Sequence, residues 1–349
     1  MRPTAENRLA ILLHDGLTGA KGKTGLAMLR YSPLNIVAVI DQNASLGPTL
    51  FDLSGIQRSV PIVQSVEAAL SYHPDVLAIG IAPSGGALPD AWYSDVEAAI
   101  AAGLSLVNGL HTPMGNDPRL TQHLRDHQWI WDVRREPEGL SVGAGKARSL
   151  PCKRVLTVGT DMAVGKMSTN LELHRLCQQR GIQSKVIATG QAGLMLGDNG
   201  VALDAVRVDF AAGAIEQLML RHGPSHEILF IEGQGSLMNP ASTATLPLLR
   251  GSQPTHLILV HRAGQTRIQH FPDFTIPPLA EAIRVYETTA AAGGTFAKPK
   301  VAGIALNTAH LETAEAEAAI AAVTAETKMP CTDVVRNGAG ILLEAILNS

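Results

Sequence analysis

Short β-branched and apolar runs alternate with helix-length segments along the whole chain, and this alternation restricts the fold more than any other feature. The early runs are LAILLH from Leu9, NIVAVID from Asn35, DVLAIGIAP from Asp75, LSLVNG from Leu104 and WIWDV from Trp129. Helical periodicity falls between them near 66–72, 91–102 and 118–127. The runs read as largely continuous apolar stretches rather than alternating with polar residues, so each strand is expected to be buried on both faces, as in a parallel sheet covered by helices. A second series follows: KRVLTVG from Lys153, SKVIATG from Ser184, EILFIEG from Glu227, THLILVH from Thr255, KVAGIALN from Lys300 and CTDVV from Cys331. Helices are expected between these at 167–180, 211–221 and 313–327.

The two series meet in a stretch rich in Gly, Pro and Ser that has neither periodicity. The expected organisation is α/β in two domains: a Rossmann-like parallel sheet over 1–137, a linker over 138–152, and a P-loop NTPase-like parallel sheet over 153–349. A chain of 349 residues, 46% hydrophobic and 17% charged, can bury two such cores.

Two candidate phosphate loops each carry a Gly-Lys pair, and context separates them. A phosphate cradle needs a strand, a Gly-rich turn with inward N–H groups, and a helix whose N-terminus adds partial positive charge. GTDMAVGKMST, 159–169, has all three: RVLTV precedes it, and Leu171, Leu173, Leu176 and Cys177 give the following helix an apolar face that ends at Gly181. The expected phosphate contacts are Gly159, Thr160, Asp161, Ala163, Val164, Gly165, Lys166, Met167 and Ser168. The first segment, GLTGAKGKTG at 16–25, reads as a loose loop before a short helix that must end by Pro33. It lacks G-x-G-x-x-G, although Asp41 stands where a dinucleotide enzyme carries its ribose-binding acid. The 159–169 turn departs from the usual pattern too, with one extra residue between its glycines and Met167 where Ser or Thr follows the lysine. That weakens metal-assisted phosphoryl transfer more than phosphate binding.

A formal net charge of −3 with no block of like charges gives no pull toward nucleic acid or anionic membrane, so a small-molecule ligand is expected. Cys152, Cys177 and Cys331 are odd in number, widely spaced and outside any C-x-x-C pattern, so neither a zinc site nor a disulfide framework is expected, and no apolar run has membrane-spanning length. LAILLHD is too short for a secretory signal. A cytoplasmic, reducing location is expected; homo-oligomerisation is left open.

GTD-x-x-VGK resembles the P-loop of dethiobiotin synthetases, IEGQGSL at 231–237 resembles that family's Glu-Gly-x-Gly turn, and GIALNT at 303–308 its adenine-recognising Asn. Over both domains the chain is similar to a bacterial family long called a domain of unknown function, through VAVID, VGTDMAVGKMST, ATGQAGLMLGDNGVALDAVRVDF and IEGQGSLMNP. In that family Met167 is expected after the lysine. Its characterised members are D-glutamate N-acetyltransferases, so the resemblance implies acetyl-CoA as cosubstrate and D-glutamate or a related amino acid as acceptor. It also implies Asn307 as an adenine contact, with a turn-forming Asn as the competing reading.

Acetyl transfer requires a base for the amine proton and donors for an oxyanion. Glu232, Asp198 and Asp204 are the acids beside the expected cradle, and the amides of EGQGS the expected oxyanion donors. Arg207, Arg262 and Arg267 are the expected carboxylate partners, and the Pro-rich HFPDFTIPP at 270–278 a lid or rigid linker. His261 and His270 are expected to form structural hydrogen bonds. The rival reading is an ATP- and Mg²⁺-dependent ligase or kinase using Asp161, Lys166, Ser168 and Glu232; no metal is expected otherwise. A nucleotide-binding protein without turnover and an NAD-dependent epimerase complete the alternatives.

Overall fold

Every run that returns to its sheet through a helix pairs in parallel, because such a connection brings the chain back to the starting edge. The computed structural model describes residues 2–45, 47–83, 86–197 and 199–349. The chain divides into two compact units, 1–136 with 191–198 and 137–190 with 199–349.

The first unit carries β1 (Arg8–Leu12), β2 (Asn35–Ile40), β3 (Ile62–Val63), β4 (Val76–Ile79), β5 (Ser105–Asn108) and β6 (Ile130–Asp132), in the sheet order β3-β2-β1-β4-β5-β6. All pairings are parallel, and the order is that of dinucleotide-binding folds, reversing between β1 and β4. The segment 16–25, expected to be loose, is tightly self-packed. A Cβ on Gly22 would lie 1.9 Å from the Gly16 carbonyl oxygen and one on Gly19 2.2 Å from that of Asp15. The Gly25 amide donates to Gly80 (2.7 Å), so glycine is needed where backbone meets backbone. Asp41 is engaged internally: its Oδ1 accepts from the amides of Asp15 (3.1 Å) and Asn43 (3.2 Å).

The helix expected over 118–127 is confined to Pro118–Thr121. Beyond it the amides of His123 and Leu124 bond three residues back, and buried Gln128 donates to the carbonyls of Ile100 and Leu104. Satisfying those carbonyls draws the chain toward β6 before a further helical turn forms.

The second unit carries β7 (Lys153–Gly159), β8 (Ser184–Ala188), β9 (Asn199–Gly200), β10 (Ile228–Ile231), β11 (His256–Arg262), the hairpin β12 (Arg267–Ile268) and β13 (Phe271–Thr275), β14 (Lys300–Asn307) and β15 (Cys331–Thr332). Its parallel sheet has the order β15-β14-β11-β7-β10-β8-β9, with β7 in the middle. Leu156 and Val158 pack on one side with residues of the helices Val208–His222, Thr245–Ser252 and Leu279–Ala291. Val155 packs on the other with the helices Lys166–Gln179 and Gly340–Leu347, so β7 is sealed on both faces. The Pro-rich stretch after His270 supplies β13, which pairs antiparallel with β12.

Residues 137–152 are folded onto this unit. Ala147 is fully buried, a Cβ on Gly213 would meet the Ser141 carbonyl at 1.7 Å, and buried Glu216 accepts from the amides of Ala144 and Lys146. Among the described residues no helix is long and apolar enough to cross a membrane.

Candidate active site

β7 stops at Gly159 and the helix Lys166–Gln179 begins seven residues later, leaving a loop whose backbone is forced to turn inward. Ala163 (φ 56°) and Gly165 (φ 120°) take left-handed conformations. A non-glycine there costs about 1–2 kcal/mol, so Ala163 is held by its surroundings. Among the described residues no oxygen accepts from the amides of Ala163, Val164, Gly165, Met167 or Ser168. A run of such donors at a helix start is an anion cradle.

The Lys166 side chain is buried and lies along the loop, its Nζ donating to the Asp161 carbonyl (2.8 Å). Two glycines leave it room. A Cβ on Gly159 would be 2.9 Å from Nζ, and one on Gly233 2.9 Å from Cδ and 1.8 Å from the Thr157 carbonyl. The turn after β10 therefore runs directly beside the lysine stem. The hydroxyls are differently disposed: Thr169 Oγ1 donates to Gly165 (3.0 Å), Ser168 is half-buried, and a thioether stands at Met167.

The Asp161 carboxylate, completely buried, organises the loop. Its Oδ1 accepts from the Met162 amide (2.7 Å) and Asn239 Nδ2 (2.8 Å); its Oδ2 accepts from Gln265 Nε2 (2.7 Å) and the Gln269 amide (2.7 Å). Burial alone raises its pKa, but these four donors outweigh burial and hold the carboxyl below the usual value. Its side chain thus holds three segments together. Thr160 Oγ1 bonds His261 Nδ1 (2.8 Å), and burial pushes that imidazole down to about 4, so it is neutral near pH 7. Tyr286 donates its hydroxyl to the Gly159 carbonyl (2.7 Å) and accepts from the Leu237 amide (3.1 Å), fixing the strand end to the following turn.

Glu232, at the end of β10, is buried, and its Oε2 accepts from the amides of Thr189 (2.9 Å) and Gly190 (3.3 Å) at the end of β8. The next turn places the amides of Gln234 and Gly235 without an acceptor among the described residues. Gly235 has φ 69°, and a Cβ there would overlap Ser242 Oγ at 1.7 Å, so only glycine forms this turn. Asp204 is exposed on a short 3-10 helix, brought to β8 by the Leu203 amide, which donates to Thr189 (3.0 Å). Asp198 lies outside the described residues.

Asn307 reaches the loop from β14: its Nδ2 donates to the Val164 carbonyl (3.0 Å) and its Oδ1 accepts from the Ala309 amide (3.1 Å). Both ends of the amide support backbone, which is the turn-forming role with an added tie to the cradle. Arg262 and Arg267 flank Gln265 on the segment anchored by Asp161. Arg262 is exposed, whereas Arg267 donates to the Pro272 carbonyl (2.6 Å) and braces the hairpin. Arg207 is exposed over the Phe210 ring (4.8 Å) at the start of the helix Val208–His222. His270, at φ 68°, makes the hairpin turn. Sequence reading missed Asn239, Gln265, Gln269 and Tyr286. Only the placement of each near a Gly-rich or apolar segment hinted at them.

Comparison with known proteins agrees with this architecture. Residues 45–136 match the family model described as the DUF1611 Rossmann-like domain, and residues 141–343 the model for the DUF1611 P-loop domain. The chain is 37% identical over 284 residues to a D-glutamate N-acetyltransferase of Tritonibacter scottomollicae, covering 81% of this chain and 84% of the relative. It is 34% identical over 304 residues to a protein of the same name from a Pseudoalteromonas species, covering 86% and 90%. A crystal structure of a DUF1611 family protein from Anabaena variabilis matches with a TM-score of 0.96 at 61% identity, covering 99% of this chain and 100% of that one. With a Rossmann-like and a P-loop domain in the family's order, the chain belongs to the DUF1611 family, which includes proteins named D-glutamate N-acetyltransferase.

Proposed function

We propose that the protein transfers the acetyl group of acetyl-CoA to the amine of D-glutamate, with the loop 159–168 holding the carrier's phosphates. The observation that carries this reading is a cradle of acceptor-less amides beside Lys166 with Met167 where a Mg²⁺-binding hydroxyl would stand. Such a loop suits gripping a phosphate more than breaking one of its bonds. Coenzyme A carries a pyrophosphate and a 3′-phosphate, so it gives the cradle a ligand without phosphorus chemistry. The names of the two relatives support the acyl acceptor.

The amine nitrogen attacks the thioester carbonyl carbon, and the carbonyl π pair moves onto oxygen. The amides of Gln234 and Gly235 donate to that oxyanion. Glu232 takes a proton from the attacking nitrogen. When the oxyanion collapses, the C–S bond breaks, the thiolate leaves with the bonding pair and receives that proton, and N-acetyl-D-glutamate remains. Glu232 takes this role in preference to Asp204 because the turn it begins lies against the Lys166 stem. Arg262, exposed beside the Asp161-bound segment, pairs with a substrate carboxylate.

The test incubates the protein with acetyl-CoA and each D- and L-amino acid and measures free thiol. Thiol release with D-glutamate in the absence of ATP is the expected result. No release with D-glutamate overturns the reading, and Mg²⁺-dependent ADP formation would replace it with ligase or kinase chemistry.

A further inference from the structure

The first unit contains a cavity of about 380 Å³ at the carboxyl ends of β4, β5 and β6, lined by Ala82, Pro83, Gly86, Gly109, His111 and Arg134. In open parallel sheets ligands bind outside the carboxyl ends of the strands, close to where strand order reverses, and β4 flanks that reversal. The volume falls in the range of small-molecule sites, roughly 300–1,000 Å³.

The walls are built rather than incidental. The His111 amide donates to the Gly86 carbonyl (2.8 Å), joining the loops after β4 and β5. Gly86 has φ 70°, and a Cβ there would lie 2.1 Å from His111 Cδ2, so the imidazole is seated against bare backbone. The loop after β5 is fixed by Asn108, fully buried, whose Oδ1 accepts from Leu110 (3.0 Å) and whose Nδ2 donates to Thr112 (2.9 Å) and Asp132 (2.7 Å). Asp132 also accepts from the amides of Met114 (2.9 Å) and Gly115 (2.8 Å), so the strand-end acid is turned to that loop. Arg134 Nε donates to the Gly109 carbonyl (2.8 Å), which sets the plane of the guanidinium at the cavity wall. Burial lowers the pKa of Arg134, and burial followed by the Arg134 charge lowers that of His111. A guanidinium anchored through its Nε at the wall of a partly desolvated cavity suits a planar anion.

We propose that this cavity binds a small carboxylate, held by the Arg134 guanidinium with His111 as a second hydrogen-bonding partner. The site stands independently of acetyl transfer. Its ligand is either the carboxylate of the amino-acid substrate or a separate organic acid.

The test titrates the full chain, without acetyl-CoA, with glutarate by calorimetry and follows the His111 ring resonances by NMR. Wild type binds glutarate and the His111 signals shift; Arg134→Gln weakens binding at least tenfold, and Arg134→Lys, which keeps charge but loses the fork, weakens it less. Unchanged glutarate affinity in Arg134→Gln overturns the proposal, as does wild type that shows no binding or binds without moving the His111 signals. Hydrogen exchange of the β4 and β5 peptides is measured in parallel: wild-type protection in the variants shows that the first unit is folded, and its loss shifts the decision to the wild-type His111 titration. Displacement of glutarate by D-glutamate assigns the site to the substrate, and its persistence assigns it to a separate acid; the site holds in both cases.

Discussion

Asp161→Asn removes a charge and no atoms of bulk, so its effect reports how the loop is held. Each carboxylate oxygen accepts two hydrogen bonds. An asparagine has one carbonyl oxygen, so in either orientation its NH₂ faces two donors. With the NH₂ at the Oδ2 position it meets Gln265 Nε2 and the Gln269 amide. Gln265 can rotate its amide to offer oxygen, at the cost of its second bond to the Arg267 carbonyl (3.0 Å), but the Gln269 N–H cannot turn. Hydrogen bonds to a charged group are each worth about 1.5–3 kcal/mol, and a buried unsatisfied donor costs about 1–3 kcal/mol, so a loss of ~2–4 kcal/mol follows. At 1.4 kcal/mol per tenfold, native-state hydrogen exchange at the Met162 and Gln269 amides accelerates by about 30- to 700-fold. Mass-resolved exchange over 160–170 and 263–270 measures it, with a β5 peptide as internal control. Exchange within about twofold of wild type would refute the argument that this carboxylate ties the segments together. Because the native pKa of Asp161 is depressed, its stabilisation is complete above its unfolded pKa of about 3.9 and is lost as pH falls through the lower native value.

His261 gives a second pH effect. Its folded pKa of about 4 lies below an unfolded value near 6.5, so folding favours the neutral ring. That contribution is complete above about pH 6.5 and is lost as pH falls toward 4, by up to ~3 kcal/mol. Denaturant midpoints of wild type should therefore fall more steeply over this window than those of His261→Gln; parallel profiles contradict the burial argument. Gly233→Ala puts a methyl 1.8 Å from the Thr157 carbonyl and is expected to destabilise the second unit by about 1–3 kcal/mol and abolish thiol release. Normal activity in that variant would show that the turn has room to move. Ser168→Ala is expected to leave kcat/KM for thiol release within about threefold of wild type, since no metal hydroxyl is needed. A loss of several orders of magnitude would favour Mg²⁺-dependent chemistry.

What was legible in the sequence was whatever repeats locally. The central strands stood out because Leu9–Leu12, Val76–Ile79 and Ile228–Ile231 are apolar at successive positions, which only a two-sided core requires. The helix after the cradle was readable from its apolar face and Gly181. Strand order was not, because parallel neighbours such as β7 and β11 are about a hundred residues apart and linked by nothing periodic. Elements with weak local signals, such as the helix Leu50–Ser54 and the two-residue β3, exist through a cap at Thr49 and pairing with β2. At the site, Lys166 was legible because phosphate binding needs a run of consecutive residues. Asp161 was singled out as a contact, but its four donors come from three segments, two of them 78 to 108 residues away, and no spacing rule reports them. The looseness read into 16–25 came from counting glycines, without the carbonyls that press on them.

The central claim, that the loop after β7 grips the phosphates of coenzyme A, is tested most directly by titrating wild type and Lys166→Ala with acetyl-CoA in the absence of Mg²⁺. A charge-assisted phosphate contact worth about 1.5–3 kcal/mol predicts tight binding by wild type without metal and an affinity roughly ten- to a hundredfold weaker in the variant. Equal affinity in the two proteins would place the carrier elsewhere and contradict the account.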